Sequence, residues 1–244
     1  MLSLEHLAEL LEKHRDAASA KVREFAVGAE HFGFNSRPEI MGVVNLSPDS
    51  WYRESVCLSA ERAIERAKVL RTQGAKIIDL GAESTLAHSS LVDDAGQRDK
   101  LLPVVRELAA AKIPVSVETY RPQVARACLE AGANAINLTG TTDAAEIFRL
   151  AAEHKAAVIV CYVQGENVRS VGDFDLGGDV IGGMLEYFSR LTEVGTRAGV
   201  EKLLIDPGLG FYYRNLRDSA TRIRHQMTTF LNSFRLRTIG FPVC

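Results

Sequence analysis

Five polar side chains stand where apolar runs stop. Asn45 follows the run 40–44, Asp79 lies near the end of 77–80, Glu118 follows 114–117, Asn137 follows 135–136, and Asp206 follows 203–205. Carboxylates and amides gathered in one pocket match a ligand edge that carries several donors beside acceptors, because a buried edge of that kind is stable only when each polar group is paired. Asp79 has the strongest purely structural explanation, since a strand-end aspartate often does no more than accept backbone hydrogen bonds from a nearby loop. Taken singly, Pro48-Asp49-Ser50 reads as a turn and Asp206-Pro207-Gly208 as a strand exit.

The elements that must bring these residues together follow a repeating order of short apolar run, polar loop and amphipathic helix. The runs are 40–44, 77–80, 114–117, 135–136, 158–160, 203–205 and 241–243, with room for a helix in each interval. Runs buried on both faces and separated by helical crossovers argue for a parallel sheet, so the fold class is α/β. Three joins resemble one another: Gly74 to Asp79, Gly132 to Asn137, and Gly199 to Asp206. In each, a glycine ends a helix, a strand follows, and a polar residue stands where the strand finishes. In a (β/α)8 barrel those strand ends converge on one face, which is the expected architecture here. A doubly wound open sheet also gathers ligands at strand C-termini, but no glycine-rich phosphate fingerprint follows the first strand.

With 244 residues, one sizeable domain is the default. Twenty-nine basic against thirty-one acidic residues leave a net charge of −2, which gives no field for nucleic acid or membrane and favours small-molecule chemistry. Cys57, Cys128, Cys161 and Cys244 stand far apart without CxxC pairing and read as free thiols, not zinc ligands. No apolar run is long enough to span a bilayer, and a cytoplasmic location is expected. Leu2, Leu4, Leu7, Leu10 and Leu11 recur at helical spacing, predicting a helix over roughly the first twenty residues that packs outside the main domain. The expected division is a lead-in over 1–36 and a barrel over 37–244.

Residues 41–50, MGVVNLSPDS, closely resemble the opening signature of the dihydropteroate synthase family. GAKIIDLGAEST at 74–85, VSVETY at 115–120, AGANAINL at 131–138 and IDPGLGF at 205–211 resemble its later signatures, in the same order. The resemblance covers about Pro38 to the last residue. It implies a pterin-binding TIM barrel that joins 6-hydroxymethyl-7,8-dihydropterin pyrophosphate to p-aminobenzoate, releasing pyrophosphate with Mg2+ and no protein nucleophile. By that resemblance Glu118, Asn137 and Asp206 hold the pterin, Thr85 contacts its diphosphate side, and Asn45 positions magnesium. Asp79, Tyr162 and Arg214 are further pocket candidates, and a homodimer is a possible assembly.

The pattern departs from the family at several places. Glu118 replaces an aspartate and Leu138 replaces another; Leu86-Ala87 stands where Arg-Pro is usual; Tyr212 and Tyr213 stand where glycine and lysine are expected, with Arg214 next. The strand that usually ends His-Met reads Val160-Cys161-Tyr162-Val163, with Tyr162 the candidate for the pterin face. The last run resembles the start of a seventh strand, so the barrel is expected to be incomplete: a truncated product, a fragment of a longer chain, or an assembly in which a second copy covers the gap. Three functions fit: a dihydropteroate-forming transferase, a catalytically silent pterin-binding or partner-binding protein, and, with least support, a methyl-folate corrinoid methyltransferase.

Overall fold

Each strand of the central sheet after the first is released from the preceding helix by one residue in a left-handed conformation. In the computed structural model, which describes residues 3–50, 52–86, 89–211 and 213–244, Gly74, Gly132 and Gly199 take φ of 105°, 106° and 92° at the three joins read from the sequence. Two further joins use lysine instead: Lys112 and Lys155 adopt φ of 57° and 52°. A side chain there costs backbone strain that glycine avoids. The repeat is therefore fivefold, and only its glycine-bearing members were visible as a motif. Leu2, Ala87 and Tyr212 lie outside the described residues.

Six parallel strands pair in sequence order: β3 (Ile40–Asn45), β4 (Ala75–Gly81), β5 (Val115–Thr119), β6 (Ala135–Leu138), β7 (Ala157–Cys161) and β8 (Leu203–Asp206). The crossovers are helices α3 (Ala60–Thr72), α4 (Asp94–Ala110), α5 (Pro122–Glu130), α6 (Ala144–Glu153) and α7 (Val180–Arg197), and α8 (Ser219–Asn232) follows the last strand. This is an incomplete (β/α)8 barrel, as expected. The run at 241–243 goes only as far as one parallel bridge, Ile205 to Val243, and does not extend into a strand.

The main core lies between sheet and helices, where Ile78, Leu80, Val115, Val117, Val158 and Val160 meet Ala63, Leu101, Leu108, Phe148 and Phe188. Leu138 belongs to this outer layer and is 1% exposed, so its side chain does not enter the bowl. Side chains of the opposite phase face the barrel interior, as the two-residue period of a strand requires. At the strands' N-terminal end these are Ile77, Ala135 and Ala157, with Met41 and Leu204 packed beside them.

The N-terminal region holds more than a helix. Two short helices, α1 (Leu4–Lys13) and α2 (Arg15–Ser19), are followed by an antiparallel hairpin of β1 (Phe25–Val27) and β2 (Glu30–Phe32). Val27 and Phe32 press onto Ile77, Ala135 and Ala157 and plug the base of the barrel. The apolar stripe of α1 stays outside, with Leu4 80% and Leu11 49% exposed. Among the described residues, no helix is long and apolar enough to cross a membrane, and the four cysteines are unpaired.

Candidate active site

Strand phase decides which residues reach the bowl at the C-terminal end of the sheet. Asp79 on β4, Asn137 on β6, Cys161 on β7 and Asp206 on β8 form one connected inner group. Asn137 Nδ2 donates to Asp79 Oδ2 at 3.0 Å, and Cys161 Sγ donates to Asn137 Oδ1 at 3.0 Å while lying 3.9 Å from Asp206 Oδ2. The remaining Asp206 oxygen, Oδ1, accepts from the Gly208 amide at 2.8 Å, so the Asp-Pro-Gly turn fixes the carboxyl as well as ending the strand. Asp79 Oδ1 and the Oγ of Ser116, its register partner on β5, are buried without a completed hydrogen bond. The floor of the bowl thus keeps unspent hydrogen-bonding capacity, which in a native interior calls for an explanation such as a ligand or water.

Glu118 and Asn45 reach the same bowl from either side of Gly81. A Cβ at Gly81 would stand 2.6 Å from Asn45 Oδ1 and 3.1 Å from Glu118 Oε2, so the absence of a side chain there lets the two oxygens converge over β4. Asn45 Nδ2 is committed to Ser55 Oγ at 2.7 Å. That contact turns the amide oxygen inward.

Burial pushes the carboxyls toward their neutral forms. Glu118 is held up to about 8, first by burial and then by the charges of Asp79, Glu83 and Asp206. Asp206 is raised to about 6 by burial, with the Gly208 amide opposing and Asp79 adding to the rise. Asp79 is raised by burial, opposed by the polar hydroxyl of nearby Ser116 and by the hydrogen bond from Asn137. Crowded carboxyls cannot all ionise together in such a site. They therefore offer both donors and acceptors to a ligand near neutral pH.

Thr85 sits on the loop after β4 in a narrow cleft that it shares with Glu118, Thr119, Tyr120 and Arg169. Glu83 organises this side: its Oε1 accepts from the Val92 amide at 2.9 Å and its Oε2 from Tyr120 Oη at 2.8 Å. Ser84 Oγ donates to the Asp49 carbonyl at 2.8 Å, tying together the loops after β3 and β4.

Two pocket candidates do not join the group. Tyr162 faces the outer core, where its ring meets Tyr187 at 4.9 Å and Phe174 at 6.1 Å. The two-residue period along β7 points Cys161 inward instead, and that period was available in the sequence. Arg214 remains exposed at the rim, its Nε 3.4 Å from Asp173. Nor does Tyr213 offer an anion contact in place of the expected lysine: it is buried, and its hydroxyl accepts from the Gln164 amide at 3.1 Å. Sequence reasoning missed Cys161, Gly81 and Arg169 as members of the site. A cavity of about 490 Å3 lies at the opposite end of the barrel between the hairpin and Met41, Ile77, Ile159 and Leu204. It contains none of this chemistry and belongs to the packing of the barrel base.

A family profile described as pterin binding enzyme matches residues 41–238. The chain is 33% identical over 224 residues to dihydropteroate synthase from Synechocystis sp., covering 89% of this chain and 73% of the relative. Dihydropteroate synthase from Thermus thermophilus in complex with 6HMPPP superposes with a TM-score of 0.70 at 28% identity, covering 91% of this chain and 76% of that one. The same enzyme in complex with 4-aminobenzoate gives a TM-score of 0.71 at 26% identity, covering 91% and 77%. A profile match across most of the barrel and a relative of this similarity join the ordered strand-end residues in one conclusion: the chain belongs to the pterin-binding enzyme family, and its relatives there are dihydropteroate synthases.

Proposed function

We propose that this chain condenses 6-hydroxymethyl-7,8-dihydropterin pyrophosphate with p-aminobenzoate and releases pyrophosphate. The observation that carries the reading is the convergence of Asp79, Glu118, Asn137 and Asp206 on one floor. Carboxyls and an amide there complement the alternating donors and acceptors of an aminopyrimidinone edge. In this assignment Glu118, Asn137 and Asp206 hold the pterin, and Asp79 fixes the Asn137 amide from behind. Thr85 directs its hydroxyl to the diphosphate side of the cleft. The amine of p-aminobenzoate displaces pyrophosphate at the pterin methylene carbon, so the protein has to orient and neutralise and forms no covalent bond.

The residues present would hold magnesium only together with the substrate. Among the described residues, no group of three or more His, Cys, Asp or Glu side chains is arranged to hold a metal. Among the described residues, Asn45 Oδ1 accepts no hydrogen bond, and Glu118 Oε2 lies across the same glycine. Mg2+ is usually bound by one or two protein oxygens together with waters and substrate phosphates. Held by Asn45 Oδ1 and the substrate's phosphates, a bound Mg2+ would supply charge neutralisation to the leaving pyrophosphate.

Pterin binding without turnover is the second reading, favoured by the burial of Leu86 and Tyr213 where the family resemblance places cations. Calorimetric titration with the pterin pyrophosphate and magnesium tests the shared part of both. Tight binding that weakens at least tenfold in Asp206→Ala is expected. A folded wild-type chain that does not bind would sink both readings.

A further inference from the structure

Arg169 lies on the loop after β7, and its side chain is only 7% exposed. Its guanidinium reaches across the mouth of the bowl to the loop after β4, where Nη1 donates to the Ser84 carbonyl and Nη2 to the Ser89 carbonyl at 2.6 Å. Nε is buried without a partner. Glu83 Oε1, the acidic atom paired with it, stands 4.0 Å away, beyond hydrogen-bonding distance. Neighbouring Arg121 is better compensated, 2.8 Å from Asp94 and 3.8 Å from Glu83. The loop that Arg169 clasps contains no lysine or arginine between residues 82 and 92. Arg169 lines the same cleft as Thr85 and Glu118.

Both Nη groups are committed to carbonyls, but each carries a second N–H and Nε is a buried donor without a partner, so this permanently charged group retains donors for a phosphate-type anion. Resting on the function proposed above, we propose that Arg169 is the binding residue for the diphosphate half of the substrate, and that by clasping the Ser84 and Ser89 carbonyls it aligns the Thr85 hydroxyl with the same anion.

The test compares two ligands that differ only in the anion: 6-hydroxymethyl-7,8-dihydropterin and its diphosphate ester, each titrated in magnesium into the wild type, Arg169→Met and Arg169→Gln. Loss of one charge-assisted contact predicts an ester affinity lower by on the order of 10- to 100-fold in both variants. Affinity for the alcohol should stay within about threefold, which also reports that the pterin pocket remains folded. Glutamine keeps a donor for one carbonyl, so it removes charge with less disturbance of the loop. Equal losses for both ligands would make Arg169 a loop clasp alone and overturn the proposal. An ester preference that survives in both variants would also overturn it while leaving the pterin assignment intact. A folded wild type that binds neither ligand would overturn the pterin assignment itself.

Discussion

Replacing Glu118 with glutamine isolates one strongly displaced carboxyl of the bowl. Glu118 is held at about 8 against an ordinary 4.5, so between those values the native chain binds a proton that the unfolded chain has released. Stability contributed by this group therefore falls as pH rises through that window and is lost above it. One group changes stability by at most about 1.4 kcal/mol per pH unit while the two states differ by a full proton. Relaxation of the bowl and entry of water reduce that limit, giving an expected loss of about 2 kcal/mol between about pH 5 and 8. Asp206, raised to about 6, acts in the lower part of the range, so the diagnostic interval lies above about pH 6.5. Urea denaturation of wild type and Glu118→Gln at half-unit steps measures the difference directly, and contributions from the histidines cancel between the two proteins. The variant should match the wild type near pH 5 and exceed it at pH 8. Parallel stability curves above pH 6.5 would refute the assignment of a raised, proton-holding Glu118.

Two further outcomes follow from packing. Gly81→Ala places a methyl group 2.6 Å from Asn45 Oδ1; displacing that amide and Glu118 should lower kcat/KM by on the order of 100-fold, and a loss below threefold in steady-state assays would show that the two oxygens are not a working pair. Phe32→Ala should cost about 3 kcal/mol by chemical denaturation, at the low end for a buried ring because one side of Phe32 already borders the basal cavity; a cost below 1 kcal/mol would mean that the hairpin does not stabilise the barrel base.

The barrel was legible because helix stops, apolar runs and strand-end polar residues repeat along the chain. Gly74, Gly132 and Gly199 mark joins that glycine serves without strain, whereas Lys112 and Lys155 do the same work with no compositional signal. The hairpin at 25–32 was missed because each strand has only three residues, too few to establish alternation against a neighbouring helical pattern. Within the site, Asn137 and Asp206 were found because polar residues inside apolar runs are conspicuous. Cys161 was passed over in favour of Tyr162, although extending the two-residue period from Ala157 and Ile159 places the cysteine inward. Arg169 had no readable signal: it belongs to a loop, and its partners Ser84 and Ser89 contribute only backbone carbonyls, 85 and 80 residues away in the chain.

The central claim is turnover. The full chain, incubated with 6-hydroxymethyl-7,8-dihydropterin pyrophosphate, p-aminobenzoate and magnesium, should form dihydropteroate and pyrophosphate in equal amounts when the products are separated and quantified by chromatography. Formation should require both substrates and fall at least 100-fold in Asp206→Ala. A folded chain that binds the pterin pyrophosphate but yields no dihydropteroate would contradict the account and leave a pterin-binding protein without synthase activity.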